Sequence, residues 1–542
     1  MQIDTIKLAV DIIEQAVKIG VRDFCVCPGA RNYQLASFLI NDQRLTSYFH
    51  TDERSAAFFA LGKIKKERRP VAVITTSGTA AGEILPAAME AYYTGLPLML
   101  ITADRPRSYR QSGAPQAAEQ VNIFGVYTPF QLDLEGGEPF DLEQWNQNYP
   151  AHINACFEEP TESEQPPLAL NSLNSKPKEP TFSYEGWKIN PERVFLEKEG
   201  PKHLSRFFQH SNHLFVIVSS LKEQDREVVV KFLIKLGAPV FLEGQSGLRE
   251  DDRLAHLRVH RSEKIWAHAQ KSNYEIDSVL RIGGVPTFRF WRDLEDKRGN
   301  VTLFSVNDVP FTGTSWGTMA FGNISQFFKN FPLQQAFDTK KAAKWLADEK
   351  EYAKKLHHLL RELPQSQAAL VYKLSKIIPE GSTLFLGNSL SIRDWDMVAT
   401  WEDKKIRCSA SRGLNGIDGQ IATFLGMMDE HRENWALLGD LTTIYDMNAF
   451  WILQYLQNYN YRFRFVVMNN HGGKIFTGKF SDPRFQNPHQ IHFEYLAKFW
   501  GIDYLRLEDI PHTFSSPSPR LIIELNPHMD QTIEFPKRLV NS

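Results

Sequence analysis

The chain has 542 residues, of which 42% are hydrophobic and 23% charged, with a formal net charge of −2. That length predicts two to four domains of roughly 100–200 residues each. The near-neutral charge gives the protein as a whole no electrostatic case for nucleic acid or an anionic membrane. Four cysteines, Cys25, Cys27, Cys156 and Cys408, lack the spacing of a zinc site or a redox pair. Such sparse usage points to a reducing compartment. No apolar run approaches the ~20 residues needed to span a bilayer, so a cytoplasmic location is expected.

In chain order, "MQIDTIKLAVDIIEQAV" predicts an amphipathic helix, because Asp4, Asp11 and Glu14 interrupt its apolar run. "DFCVC", "PVAVITT" and "LPLMLITA" then read as buried strands, each followed by Gly or Pro punctuation and a helical pattern. A Pro-, Ser- and Glu-rich stretch, "EEPTESEQPPLALNSLNSKPKEPTF", closes this unit as a surface connection with one short extended segment. "HLFVIVSS", "PVFLEG", "SVLRIGG" and "TLFSVN" form a second set of strands, and the charged helical tract "TKKAAKWLADEKEYAKKLHHLLREL" follows. The third set is "STLFLGNS", "NWALLGD", "FRFVVMNN" and "RLIIELN". Strands alternating with helices predict parallel α/β layers. Three α/β domains are therefore expected, at 1–185, 186–345 and 346–542.

Two stretches carry chemistry. In "HTDERSAAFFALGK", Glu53 stands at the mouth of a small apolar helix. It is either a first-turn residue favoured by the helix dipole or a working acid. In the third set, one strand ends in Gly439-Asp440, and thirty residues after Asp440 another ends in Asn469-Asn470, followed by His471-Gly472-Gly473. Strand C-termini of a parallel sheet converge on the ligand crevice. Asp440, the Asn470 amide oxygen and the Gly472 carbonyl form an all-oxygen set suited to a hard cation that also takes phosphate oxygens. Taken singly, each piece reads as a helix cap; together they favour a diphosphate site. Arg31, Arg105, Arg393 and Arg412 each sit in a loop after a strand or in a Gly-containing turn. Guanidinium is the natural fork for carboxylate, so four of them suit small, multiply anionic substrates.

The Gly439-Asp440 to Asn470 spacing resembles the motif of thiamine diphosphate enzymes, with Leu441 where a third glycine is usual. In that family a glutamate from the N-terminal domain hydrogen-bonds the cofactor's pyrimidine ring and helps to activate the thiazolium carbon, which gives Glu53 its catalytic reading. "CPGARNYQL", "HTDERSAAFFALG", "TTSGTAAGEILPAAMEAYYTGLPLMLITADRP", "GAPQAAEQ", "EGQSGLR", "GNSLSIRDWD" and "SRGLNGIDGQIAT" are similar to one branch, over essentially the whole chain. That branch is the 2-succinyl-5-enolpyruvyl-6-hydroxy-3-cyclohexene-1-carboxylate synthase family of menaquinone biosynthesis.

The resemblance implies a thiamine diphosphate-binding fold with an N-terminal pyrimidine-binding, a central and a C-terminal diphosphate-binding domain. It implies decarboxylation of 2-oxoglutarate and 1,4-addition of the remaining succinyl unit to isochorismate. Glu53, Ser77, Ile417, Gly439, Asp440, Asn470, Gly472, Ile475 and Phe476 would hold thiamine diphosphate. Asp440, Asn470 and Gly472 would hold Mg²⁺ or Mn²⁺. Arg31, Arg105, Gln116, Arg289, Ser389, Arg393 and Arg412 would hold the two acids. A homodimer or homotetramer is implied, since the first and third domains of different subunits share a cofactor in this family. The alternatives are another thiamine diphosphate-dependent 2-oxo acid decarboxylase or carboligase, or a non-catalytic homologue.

The chain departs from the branch in five places, one of them a stretch before Asn469 slightly longer than usual. Ala30 stands where a serine is usual, Pro115 where an asparagine is, and Arg289 where a lysine is; the asparagine run ends in His471.

Overall fold

The computed structural model describes residues 2–159, 192–333, 336–457, 459–477, 480 and 482–541. Most of the Pro- and Ser-rich connection lies outside them. Among the described residues there are three six-stranded sheets, and every strand pairing in them is parallel. The first sheet holds β1 (Asp23–Val26), β2 (Thr46–Phe49), β3 (Val71–Thr75), β4 (Leu98–Asp104), β5 (Phe130–Glu135) and β6 (Ala151–Cys156), in the order β2-β1-β3-β4-β6-β5. The second holds β7 (Glu192–Phe195), β8 (Leu214–Val218), β9 (Val240–Leu242), β10 (Ser278–Ile282), β11 (Thr302–Asn307) and β12 (Thr318–Phe321), ordered β7-β12-β11-β10-β8-β9. The third holds β13 (Thr383–Leu386), β14 (Arg407–Ser409), β15 (Glu433–Gly439), β16 (Arg462–Met468), β17 (Asp503–Leu507) and β18 (Arg520–Leu525), ordered β14-β13-β15-β16-β18-β17. The first and third sheets thus share one topology.

The central strands are apolar runs because helices cover both faces of a parallel sheet. Val71–Thr75, Leu98–Asp104 and Leu214–Val218 are buried at every position. Against the first sheet, Leu8, Ile12 and Ala16 of the helix Gln2–Lys18 pack with Phe24, Ile74 and Ile101. The charged tract forms the helix Ala343–Glu362. Among the described residues no helix is long and apolar enough to cross a membrane.

The chain divides into two compact units. Unit 1 comprises Met1–Glu185, Gly413–His431 and Thr442–Tyr461; unit 2 comprises Gly186–Arg412, Arg432–Leu441 and Arg462–Ser542. In unit 1 the helix Glu53–Glu67 crosses the helix Gln420–Met427 at a contact between glycines. A Cβ on Gly62 would lie 2.2 Å from the Thr423 carbonyl oxygen, and one on Gly426 2.2 Å from that of Phe59. Backbone cannot yield as a side chain can, so these glycines set how closely the helices approach.

Gly62→Ala should therefore destabilise the protein by about 1–3 kcal/mol, the usual cost of overpacking. Gly82→Ala, at a helical position with open space around it, should be neutral or stabilising by up to ~1 kcal/mol. Urea unfolding of both variants checks the pair, and equal effects would contradict the crossing.

Candidate active site

In a parallel sheet, ligands bind where the strand order reverses and the loops from two adjacent strands part. The first sheet reverses between β1 and β3. The β1 loop carries Gly29, Ala30 and Arg31; the β3 loop carries Thr76, Ser77 and Gly78. They touch: a Cβ on Gly29 would lie 2.5 Å from the Thr76 side chain. Asn32 pins the β1 loop, its Oδ1 accepting from the Gly29 amide at 2.9 Å and its Nδ2 donating to the Cys27 carbonyl at 2.8 Å. Gln120 pins the β3 loop, its Oε1 accepting from the Gly78 amide at 2.8 Å and its Nε2 donating to Asn154 at 3.0 Å.

Arg31 is buried and donates to the Phe157 carbonyl at 3.0 Å. Burial, and then the charge of Arg105, lower its pKa. Arg105 leaves the end of β4 and donates to the Pro115 carbonyl at 2.8 Å. Gln116, at φ +58°, backs onto Gly78, where a Cβ would meet the Gln116 Cα at 3.3 Å. Unit 1 therefore brings Arg31, Arg105, Gln116 and Ser77 to one end of the sheet. Two guanidinium groups that raise each other's energy make a place for an anion.

Glu53 opens the helix Glu53–Glu67, whose N-cap Asp52 accepts from the Ser55 amide at 3.0 Å. The cap duty thus falls to Asp52, which leaves Glu53 without it. Burial raises the Glu53 carboxyl above the ordinary range, and the neighbouring Asp52 and Glu83 charges add to this. His50, one turn before, is buried and held neutral, its pKa lowered to about 3 by desolvation. Ile417 lies in the same unit, just before Gly419, where a Cβ would meet the Phe58 ring at 1.9 Å.

In unit 2 the third sheet reverses between β13 and β15. The β13 loop carries Asn388 and Ser389; Gly439 ends β15 and Asp440 follows it. Asp440 is buried; its Oδ1 accepts from the Leu441 amide at 2.6 Å and its Oδ2 from the Gly472 amide at 2.9 Å. Leu441 serves here through its backbone, so a side chain in place of the usual glycine costs nothing at this bond. His489 Nε2 approaches Asp440 Oδ2 at 3.2 Å. Gly472, at φ +132°, has no room for a Cβ, which would lie 2.5 Å from the Gln486 carbonyl oxygen. Ile475 and Phe476 follow in the short turn Lys474–Phe476, and Phe476 is exposed beside Phe480.

Asn470 donates from Nδ2 to Gln367 at 2.8 Å, and its Oδ1 is buried with no hydrogen-bond partner among the described residues. An orphaned buried amide oxygen fits a hard divalent cation, which takes oxygen ligands of this kind. Among the described residues no three His, Cys, Asp or Glu side chains are grouped to hold a metal. The set expected from the sequence, one carboxylate, one amide and one backbone carbonyl, is of another kind.

Ser389 takes the unfavourable φ of +71° at the start of the helix Leu390–Val398. Such strain collects where function over-determines the backbone. Arg393 donates to the Ser389 carbonyl at 2.8 Å, and Arg412 to Asn388 at 2.6 Å. Burial, opposed by Asp394 and joined by the charge of Arg292, lowers the Arg393 pKa. Arg289 opens the helix Arg289–Asp293 and pairs with Asp293 at 3.3 Å on an exposed face. The cation felt by Arg393 is thus Arg292.

Sequence reasoning missed several polar side chains of unit 2. Glu243 accepts from Ser219 and from the Thr287 amide and hydroxyl, the latter at 2.7 Å. The Thr287 hydroxyl also reaches Asp396 at 3.3 Å, and the Gly244 amide donates to Asp396 at 2.7 Å. Burial, and then the Glu243 charge, push the Asp396 carboxyl well above its usual range. Gln367 donates to Asp394 at 2.6 Å. Glu243 lies in "EGQSGLR" and Asp394 and Asp396 in "GNSLSIRDWD", but nothing in those stretches marks their pairing with one another, with Thr287 or with Gln367, far apart in sequence.

The comparisons agree with this architecture. Residues 6–123 match the family model of the thiamine pyrophosphate enzyme N-terminal TPP binding domain, which defines the class as a thiamine pyrophosphate enzyme. A 2-succinyl-5-enolpyruvyl-6-hydroxy-3-cyclohexene-1-carboxylate synthase of Bdellovibrio bacteriovorus is 39% identical, over 98% of this chain and 97% of the relative. The synthase of Akkermansia muciniphila is 36% identical over 98% of both. That of Lysinibacillus sphaericus is 29% identical, over 98% of this chain and 96% of the relative. The chain belongs to the 2-succinyl-5-enolpyruvyl-6-hydroxy-3-cyclohexene-1-carboxylate synthase family.

The buried acid at 396 has a pH signature. An acid whose folded pKa exceeds its unfolded value of about 4 keeps its proton longer when folded, so stability declines as pH rises from that value toward the folded one. Asp396→Asn imitates the neutral acid and removes this titration. Its urea-unfolding free energy, relative to the parent, should move in the variant's favour between about pH 5 and about pH 8. A pH-independent difference would contradict the shift.

Proposed function

We propose that the chain is a thiamine diphosphate-dependent synthase that decarboxylates 2-oxoglutarate and adds the remaining succinyl unit to isochorismate. The observation that carries this reading is near-full-length identity of 39% to a protein named 2-succinyl-5-enolpyruvyl-6-hydroxy-3-cyclohexene-1-carboxylate synthase, after the product such a reaction gives. When bound, thiamine diphosphate supplies a carbon nucleophile at which a 2-oxo acid can lose CO₂.

The chain's own residues divide the remaining work. Asp440, Asn470 and the Gly472 carbonyl would hold Mg²⁺, or Mn²⁺, against the diphosphate. Glu53 would hold a proton at the cofactor's pyrimidine, a duty eased by a carboxyl that burial keeps from ionising readily. Ser77, Ile417, Gly439, Ile475 and Phe476 complete the cofactor's surroundings. Arg31, Arg105, Gln116, Ser389, Arg393 and Arg412 would take the substrate carboxylates, with Arg289 a weaker candidate because Asp293 already engages it. In the family the pyrimidine and diphosphate ends come from different subunits, so a homodimer is the smallest active form proposed.

Two variants test the assignment. Asp440→Ala removes the charged ligand and should abolish calorimetrically measured binding of thiamine diphosphate with Mg²⁺; undiminished affinity would refute the site. Glu53→Gln should bind the cofactor yet slow exchange of its thiazolium proton, seen by NMR, by ~10²–10⁴-fold, the usual worth of general acid–base catalysis. Unchanged exchange would return Glu53 to a helix-start residue.

A further inference from the structure

We propose that Gln367 and Asp394 are positioning residues that orient the Asn470 carboxamide, so that its oxygen and not its nitrogen is offered to the divalent cation. The inference rests on the reading of Asn470 as a metal ligand.

Three side chains of unit 2 form one relay. Gln367 Nε2 donates to Asp394 Oδ2 at 2.6 Å, and Asn470 Nδ2 donates to Gln367 Oε1 at 2.8 Å. The remaining polar atom, Asn470 Oδ1, is buried and has no partner among the described residues. An amide can present either end to a neighbour, but an ionised carboxylate only accepts. Asp394 therefore takes the NH₂ end of Gln367. Gln367 is left to turn its oxygen toward Asn470, and Asn470 must answer with its own NH₂. Its oxygen then points the other way, uncommitted. The polarity of the whole relay is set at Asp394.

The members are held firmly enough to enforce it. Gln367 is buried at the start of the helix Gln367–Ile377, and its backbone amide donates to the Thr532 hydroxyl at 3.0 Å. Asp394 belongs to the helix Leu390–Val398, which also carries Arg393 and starts from the strained Ser389. Asn470 follows the end of β16 and is itself buried. The relay thus ties the helix of a candidate substrate arginine to a candidate metal ligand. Outer-shell partners of metal ligands are typically worth 10–100-fold in affinity. Desolvation raises the Asp394 pKa to about 7, so the carboxylate form is secured on the alkaline side.

The test is a Mn²⁺ titration followed by electron paramagnetic resonance, with thiamine diphosphate present, at about pH 8, above the Asp394 value. Asp394→Asn keeps the shape but can present either end to Gln367, so the relay loses its polarity. Mn²⁺ affinity should fall about tenfold or more. Asn470→Asp presents oxygen whichever way it turns, so adding Asp394→Asn to that variant should cause no further loss. A merely structural role would weaken Mn²⁺ equally in both backgrounds. That result, or parental affinity in Asp394→Asn alone, would overturn the proposal. Unchanged Mn²⁺ affinity in Asn470→Ala would instead remove the ligand reading on which it rests.

Discussion

A parallel sheet opens a crevice only where its strand order reverses, because there the loops of two adjacent strands turn to opposite faces. The chain uses this constraint twice, with one topology, in its first and third sheets. Between β1 and β3 it sets the Arg31 loop against the Ser77 loop; between β13 and β15 it brings the loop that carries Ser389 and the turn that carries Asp440 to one end of the sheet. The catalytic reading of Glu53 depends on the first crevice, at the end of the strand next to β1. The diphosphate reading depends on the second. Moving either reversal by one strand would scatter these residues without altering any of them.

Around each crevice, the need to satisfy buried polar groups does the positioning. Asn32 and Gln120 spend their amides on backbone groups of the two loops in unit 1. Asp104 and Asp133 share the Asn154 amide, at 3.0 and 2.9 Å, behind the end of β4, from which Arg105 emerges. In unit 2 the same need is met by backbone and side chain alike. Asp440 is held by two backbone amides, and Asp394 and Asp396, whose pKa desolvation raises, are held by Gln367 and by the Gly244 amide. A site assembled in this way carries its ligand preferences in hydrogen-bond polarity as much as in net charge.

The sequence disclosed the interior of the fold well and its margins poorly. Runs such as "PVAVITT" and "HLFVIVSS" are legible because both faces of those strands are buried. Edge strands β2, β5, β7, β14 and β17 escaped reading, since their patterns are short and mixed, as did the short interior strand β12, whereas the edge strand β9, buried throughout, was legible in "PVFLEG". Strand β6 lies inside the sheet but reads "AHINAC"; His152 and Asn154 are buried there with polar partners, Thr102 meeting both, at 2.8 and 2.9 Å, and Gln120, Asp104 and Asp133 meeting Asn154 as well. In the site, Gly439-Asp440 and Asn470 were visible as punctuation at strand ends. Gln367, Asp394, Asp396 and Thr287 were not, because their meaning lies in pairings across long sequence separations. At Pro115 the backbone carbonyl accepts from Arg105, but any residue would supply it, so this contact does not explain the proline. Nothing in the structure explains Ala30.

The central claim is chemical, and product analysis tests it most directly. With thiamine diphosphate, Mg²⁺ and 2-oxoglutarate, addition of isochorismate should yield CO₂ and, by mass spectrometry, an adduct of isochorismate with the decarboxylated four-carbon unit. Release of succinic semialdehyde at the same rate with and without isochorismate, and no adduct, would contradict the account and make the protein a simple 2-oxo acid decarboxylase.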